Sequence, residues 1–117
     1  MVTYGNAQSD LTDAQIDRIF RALADATRRD IFGRTLTEEP SISELAHRYE
    51  MSFVAVRKHI TVLEEAQLVC THRSGRERRI RGNPEYLQKA QALLTAYERP
   101  WRERLDRLDA LLTEDRR

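Results

Sequence analysis

Two short helices joined by a tight link constrain this chain more than any other feature. Ser41-Ile42-Ser43-Glu44 fits the S-x-x-E capping box, and Ile42, Leu45 and Tyr49 fall at i, i+3 and i+7, so a short amphipathic helix is expected there. Tyr49-Glu50-Met51 supplies a turn. Ser52 then stands just before a second helix, where its hydroxyl can accept a hydrogen bond from an orphan backbone N–H. Within that helix Val56, Ile60 and Leu63 share one face, which leaves Arg57, Lys58 and Thr61 to project elsewhere. Helices this short and this tightly joined are the arrangement in which the second helix enters a DNA major groove. Downstream, Val69 to Arg73 and Arg76 to Arg81 flank Ser74-Gly75, a dipeptide expected to reverse the chain into a basic hairpin. The fold class expected is mainly α with a small β-hairpin: a winged helix-turn-helix with N- and C-terminal dimerisation helices.

The rest of the chain extends that pattern at both ends. Residues 1–9 lack apolar periodicity and are expected to form a flexible leader. Thr12-Asp13-Ala14-Gln15 is a capping box in its Gln form, followed by Ile16, Ile19, Phe20 and Leu23 at helical spacing. Asp25 can cap a second helix running through Ile31, Phe32 and Leu36, which ends before the polar loop Thr37-Glu38-Glu39-Pro40. After the hairpin, Asn83-Pro84 starts a last helix whose stripe of Leu87, Leu94, Tyr97, Trp101, Leu105, Leu108 and Leu112 is longer than a small domain needs. Pro100 inside the stripe predicts a kink or short break. The organisation expected is one domain over 1–117, with the helix-turn-helix at 41–66, the wing at 69–82 and the C-terminal dimerisation helix at 85–113.

At 117 residues the chain can bury a core without a disulfide or metal staple, and no cofactor is expected. Its one cysteine, Cys70, suits a reducing cytoplasm. No long apolar run or secretory leader is apparent in the sequence, so no membrane partner is expected. Net charge is only +1, but its distribution is uneven. Six arginines face nine carboxylates over 1–52, seven Lys and Arg face three Glu over 53–81, and the remainder balances. The positive segment coincides with the second helix and hairpin, the footprint expected of a surface that meets phosphates. Cys70 and His72 at i, i+2 supply two metal donors, and two donors are not a site. Neither a Gly-rich phosphate loop nor a nucleophile with a base at a recognised spacing is found, so catalysis is not expected.

The residues from about Ile19 to Leu112 resemble the ArsR family of bacterial winged-helix repressors. Ala22-Leu23-Ala24-Asp25-Ala26-Thr27-Arg28-Arg29-Asp30-Ile31 is similar to that family's opening signature, and Glu44-Leu45-Ala46 to its first helix-turn-helix segment. Ala55 to Ala66 followed by Leu68-Val69 is similar to its recognition helix and the start of its wing. The resemblance implies a symmetric dimer that represses transcription and releases DNA when an effector, here unidentified, binds. Metal-sensing members carry a Cys-x-Cys pair near the first helix of the motif, or acidic and His ligands on the C-terminal helix. Ile42 to His47 holds no cysteine and Tyr86 to Arg117 no histidine, so no metal site is expected and the resemblance is to a non-metal branch. Arg57 stands where many members have a small polar residue, which implies a shifted operator preference.

The surface expected to meet operator DNA comprises Ser52, Phe53, Ala55, Arg57, Lys58, His59 and Thr61 on the helix and Arg73, Arg76 and Arg78 on the wing. Arg57 has the geometry to contact guanine O6 and N7 bidentately, Lys58 suits a phosphate, and His59 is equally suited to a structural place. The dimer interface is expected at Ile16, Ile19, Phe20, Leu23, Leu94, Tyr97, Trp101, Leu105 and Leu108. The rival reading is a protein-interaction module in which the winged helix and the C-terminal stripe dock a protein partner.

Overall fold

The computed structural model describes residues 11–115, with seven elements: α1 (Asp13–Leu23), α2 (Ala26–Thr35), α3 (Ile42–Tyr49), α4 (Phe53–Glu65), β1 (Val69–Ser74), β2 (Glu77–Gly82) and α5 (Pro84–Asp115). The leader expected over residues 1–9 lies outside the described residues. The chain divides into two compact units, Thr12–Leu87 and a second that contains Leu11 and the helix from Gln88 onward.

Local chemistry starts each helix of the first unit. Thr12 and Gln15 exchange hydrogen bonds in a complete capping box, and Asp25, Ser41 and Ser52 each accept from the backbone N–H three residues on. At Ser41 only half of the expected box forms, since the Glu44 carboxylate is taken by Arg79 at 3.3 Å. The second helix stops at Thr35, with Leu36 as its cap. α3 and α4 both end through left-handed residues, Glu50 at φ 53° and Gln67 at φ 62°. At the end of α4 the Leu68 N–H reaches Leu63 O at 3.0 Å and the Gln67 N–H reaches Glu64 O at 2.9 Å, the paired closure usually built around glycine. A Cβ in that conformation is strained. Gln67→Gly is therefore expected to raise stability by about 0.5–1 kcal/mol, measured as a higher urea midpoint at unchanged slope.

Packing places α4 at the centre of this unit. α1, α2, α3 and β1 all contact it, and Val56, Ile60 and Leu63 are fully buried, together with Ile31 from α2, Leu45 from α3 and Ile80 from β2. β1 and β2 pair antiparallel with Val69 opposite Gly82 and Ser74 opposite Glu77. The reversal is thus Gly75-Arg76, one residue later than the Ser74-Gly75 expected, with Gly75 at φ 66° as the first central residue of a two-residue turn. A third short strand edge joins the hairpin: Ser41 bridges Arg79, and the Ile80 N–H reaches Pro40 O at 2.9 Å. Gly82 passes so near α2 that an added Cβ would lie 2.8 Å from the Thr35 hydroxyl, so no larger residue fits there without a shift. Asn83 donates through its backbone to Leu68 O at 2.8 Å and through its amide to Gln67 O at 3.2 Å, which ties the end of the hairpin to its start.

In the second unit α5 continues through Pro100 without the break that proline predicted. Proline removes the N–H that the Ala96 carbonyl would accept, yet residues 97–101 are exposed and water can take up the loss. Ala90 and Leu93 are buried, whereas Leu94, Tyr97, Trp101, Leu105, Leu108, Leu111 and Leu112 are exposed. No helix among the described residues is long and apolar enough to cross a membrane.

Candidate nucleic-acid interface

Val56, Ile60 and Leu63 face the core, and the side of α4 away from them is left to solvent. Phe53, Val54, Arg57, Lys58 and Thr61 are exposed, as is the capping Ser52, and Ala55 is half-buried. Phe53, Arg57 and Thr61 form one row at four-residue spacing, and Val54 and Lys58 form the next. The Thr61 hydroxyl donates back to Arg57 O at 3.0 Å, which leaves its oxygen free to accept.

His59 takes the structural of its two expected places. Its Nδ1 lies 3.4 Å from the Arg28 guanidinium and 4.0 Å from the Asp25 carboxylate, with the side chain 21% exposed. Arg28 in turn donates to Ala22 O at 2.8 Å and Arg21 O at 3.1 Å, carbonyls of the last turn of α1. The histidine therefore braces α4 against the α1–α2 corner. No local pattern signals this brace, since Arg28 lies 31 residues from its partner. The N–H of Arg28 holds the Asp25 carboxyl below its ordinary pKa, assisted by the Arg28 and His59 charges.

The hairpin separates two kinds of arginine by face. In an antiparallel pair opposed residues share a face, so Thr71, Arg73, Arg78 and Ile80 lie on one side and Cys70, His72, Glu77, Arg79 and Arg81 on the other. The second group is neutralised. Glu39 accepts from Arg81 at 2.6 Å and lies 3.0 Å from His72, while Arg79 bonds Glu44 at 3.3 Å, Glu77 at 3.0 Å and Glu39 O at 2.8 Å. Arg73 and Arg78 instead oppose one another directly, a like-charge pair that costs stability by itself. Arg78 reaches only the Thr71 hydroxyl, at 3.4 Å. Among the described residues, Arg57, Lys58, Arg73 and Arg76 have no carboxylate partner.

One open cleft gathers this unpaired charge. Its walls are Arg57 and Phe53 from α4, Arg73, Arg76, Glu77 and Arg78 from the wing, and Ser41, Ile42 and Ser43 from the start of α3. The Glu77 carboxylate is already held by Arg79. An extended polyanion with apolar groups at its edges fits such a surface better than a small ligand does. Val54, exposed in the first turn of α4, and Glu39, the carboxylate that decides which wing arginines are occupied, carry no local sequence signal that marks them as part of this surface. No three His, Cys, Asp or Glu side chains among the described residues are grouped to hold a metal ion. Cys70, exposed and unpaired, lies opposite Arg81.

Comparison with known proteins agrees with this geometry. No protein-family model matches the chain. It is 39% identical over 85 residues to the HTH-type transcriptional regulator Rv2034 of Mycobacterium tuberculosis, covering 73% of this chain and 77% of that one. The crystal structure of an ArsR family transcriptional regulator superposes with a TM-score of 0.71 at 34% identity, over 79% of this chain and 95% of that one. This chain belongs to the ArsR family of transcriptional regulators. A more distant relative is the transcriptional repressor SdpR of Bacillus subtilis, 25% identical over 60 residues, 51% of this chain and 67% of that one. This ArsR-family protein is accordingly a DNA-binding transcriptional regulator with a winged helix-turn-helix, and its relatives are regulators rather than enzymes.

Glu39 makes the wing of this regulator sensitive to acid. The Arg81 guanidinium, and then His72, hold the Glu39 carboxyl below its ordinary pKa of 4.5. A carboxyl so lowered contributes stability that is present above its unfolded value and lost as pH falls through its folded value. Glu39→Gln is expected to melt below wild type at pH 7, and the gap is expected to close as pH falls below the ordinary value of 4.5. Thermal melts across that range check it, and a gap that stays constant would mean the clip adds nothing through its charge.

Proposed function

We propose that the protein is a homodimeric repressor that binds an inverted-repeat operator through α4 and the β1–β2 wing and releases it when an effector binds. The observation that carries the reading is the cleft where Arg57, Arg73, Arg76 and Arg78 converge without a free carboxylate to neutralise them. Leaving Arg73 against Arg78 is unfavourable unless an anion completes the surface. In this reading the α4 row bearing Arg57 meets base edges, while Lys58 and the wing arginines meet phosphates. The exposed row on α5, from Leu94 through Tyr97, Trp101, Leu105 and Leu108, supports pairing with a second copy, which would remove that apolar surface from water. Phe20 is exposed and Ile16 and Leu23 half-buried, so α1 can contribute, but Ile19 is 1% exposed in the single chain and is a core residue, not an interface one. The repressor sense rests on the family resemblance and on the relative SdpR. Work on an operator also places the protein in the cytoplasm.

Selecting binders from a random pool of double-stranded DNA tests the proposal. The recovered sequences are expected to share an inverted repeat with half-sites about one helical turn apart, to be bound less tightly as salt rises, and to block transcription from a promoter carrying them. Recovery of no common sequence, or binding indifferent to salt, would favour docking of a protein instead.

A further inference from the structure

Phe53 and Val54 are 50% and 63% exposed, two large apolar side chains on the same exposed sides of α4 as Arg57 and Lys58, and Phe53 lines the cleft with the wing arginines. The core does not need them, because Val56, Ile60 and Leu63 already form the buried face of α4. They occupy the first turn, the part of such a helix that lies nearest base edges. Apart from bare C–H edges, every major-groove edge group is a hydrogen-bond donor or acceptor except one, the C5-methyl of thymine. An apolar side chain set against O6, N7 or an amino group strips water from it and returns no hydrogen bond, whereas against the methyl both surfaces leave water favourably.

We propose that Phe53 and Val54 are specificity-determining residues that contact thymine methyl groups, so that each half-site carries thymine within about two steps of the base contacted by Arg57. The inference rests on the DNA-binding reading of the cleft above and deepens it. Phe53 precedes Arg57 by four residues on the same row, about 6 Å along the helix axis, and base pairs are about 3.4 Å apart. The thymine facing Phe53 therefore lies about two steps from the base facing Arg57, on the side toward the N-terminus of α4. Val54 lies on the adjoining row with Lys58 and faces the neighbouring step or its other strand.

Replacing thymine by deoxyuridine removes the methyl and leaves every hydrogen-bonding group in place. On the selected operator, one or two such replacements in each half-site are expected to weaken wild-type binding about fourfold apiece, the value of one buried methyl. Phe53→Ala and Val54→Ala are expected to keep the helical circular dichroism of wild type and to bind more weakly, each indifferent to uracil at the position its side chain served. Wild type indifferent to uracil throughout the half-site, variants that keep the full uracil penalty, or selected half-sites without thymine would each overturn the inference. Selected sequences that still depend on Arg57 would in those cases leave the DNA-binding reading standing. Recovery of no common sequence would overturn both.

Discussion

Replacing Leu105 and Leu108 with glutamate is expected to turn the protein into monomers and to weaken operator binding by about 10²–10⁴-fold. Both side chains are about half exposed in the single chain and sit on one α5 face with Trp101 and Leu112. A charge at either position has no cost in a monomer, where water reaches it, and a large one at the centre of an apolar interface. The affinity loss follows because linked half-sites gain from effective concentration, and a monomer forfeits that gain. Sedimentation, circular dichroism and a binding titration on one preparation separate the outcomes. A monomeric variant that binds as tightly as wild type would sink the proposed dimer requirement, and one that remains dimeric would place the interface elsewhere.

Arg57→Ala is expected to cost about 1–3 kcal/mol at one operator position and to relax the preference there, as loss of a bidentate base contact does. Arg57 is exposed, has no carboxylate partner, and lines the cleft beside Phe53. Arg76→Ala at the wing tip is expected to behave differently, weakening all sequences alike and lowering the salt slope by about one unit. Titrations against the operator and single-base variants at several salt concentrations distinguish the two. Uniform weakening by Arg57→Ala would reassign it to the phosphate backbone.

The short-range features of this protein were legible in its sequence because the forces that make them act over three or four residues. Thr12, Asp25, Ser41 and Ser52 each bond a backbone N–H three positions away, and the apolar positions Val56, Ile60 and Leu63 need only helical geometry to share a face. That was enough to place the helix-turn-helix, the hairpin and the basic segment. The family resemblance ran through the same residues.

What the sequence by itself could not determine was which charges are free. A count over residues 53–81 weighs all seven cations equally, yet Glu39 and Glu44, from outside that segment, neutralise Arg79 and Arg81 and leave Arg57, Arg73 and Arg76 without a partner. That sorting depends on the third strand edge, where Ser41 meets Arg79, and no local pattern announces a pairing across so many residues. The same holds for His59, drawn to Arg28 by the meeting of α2 and α4, and for Ile19, whose helical stripe does not say whether the chain itself or a second copy covers it. Local hydrogen bonding fixed where the elements begin and end, and only tertiary packing, through contacts between residues distant in the chain, decided which side chains remain for DNA.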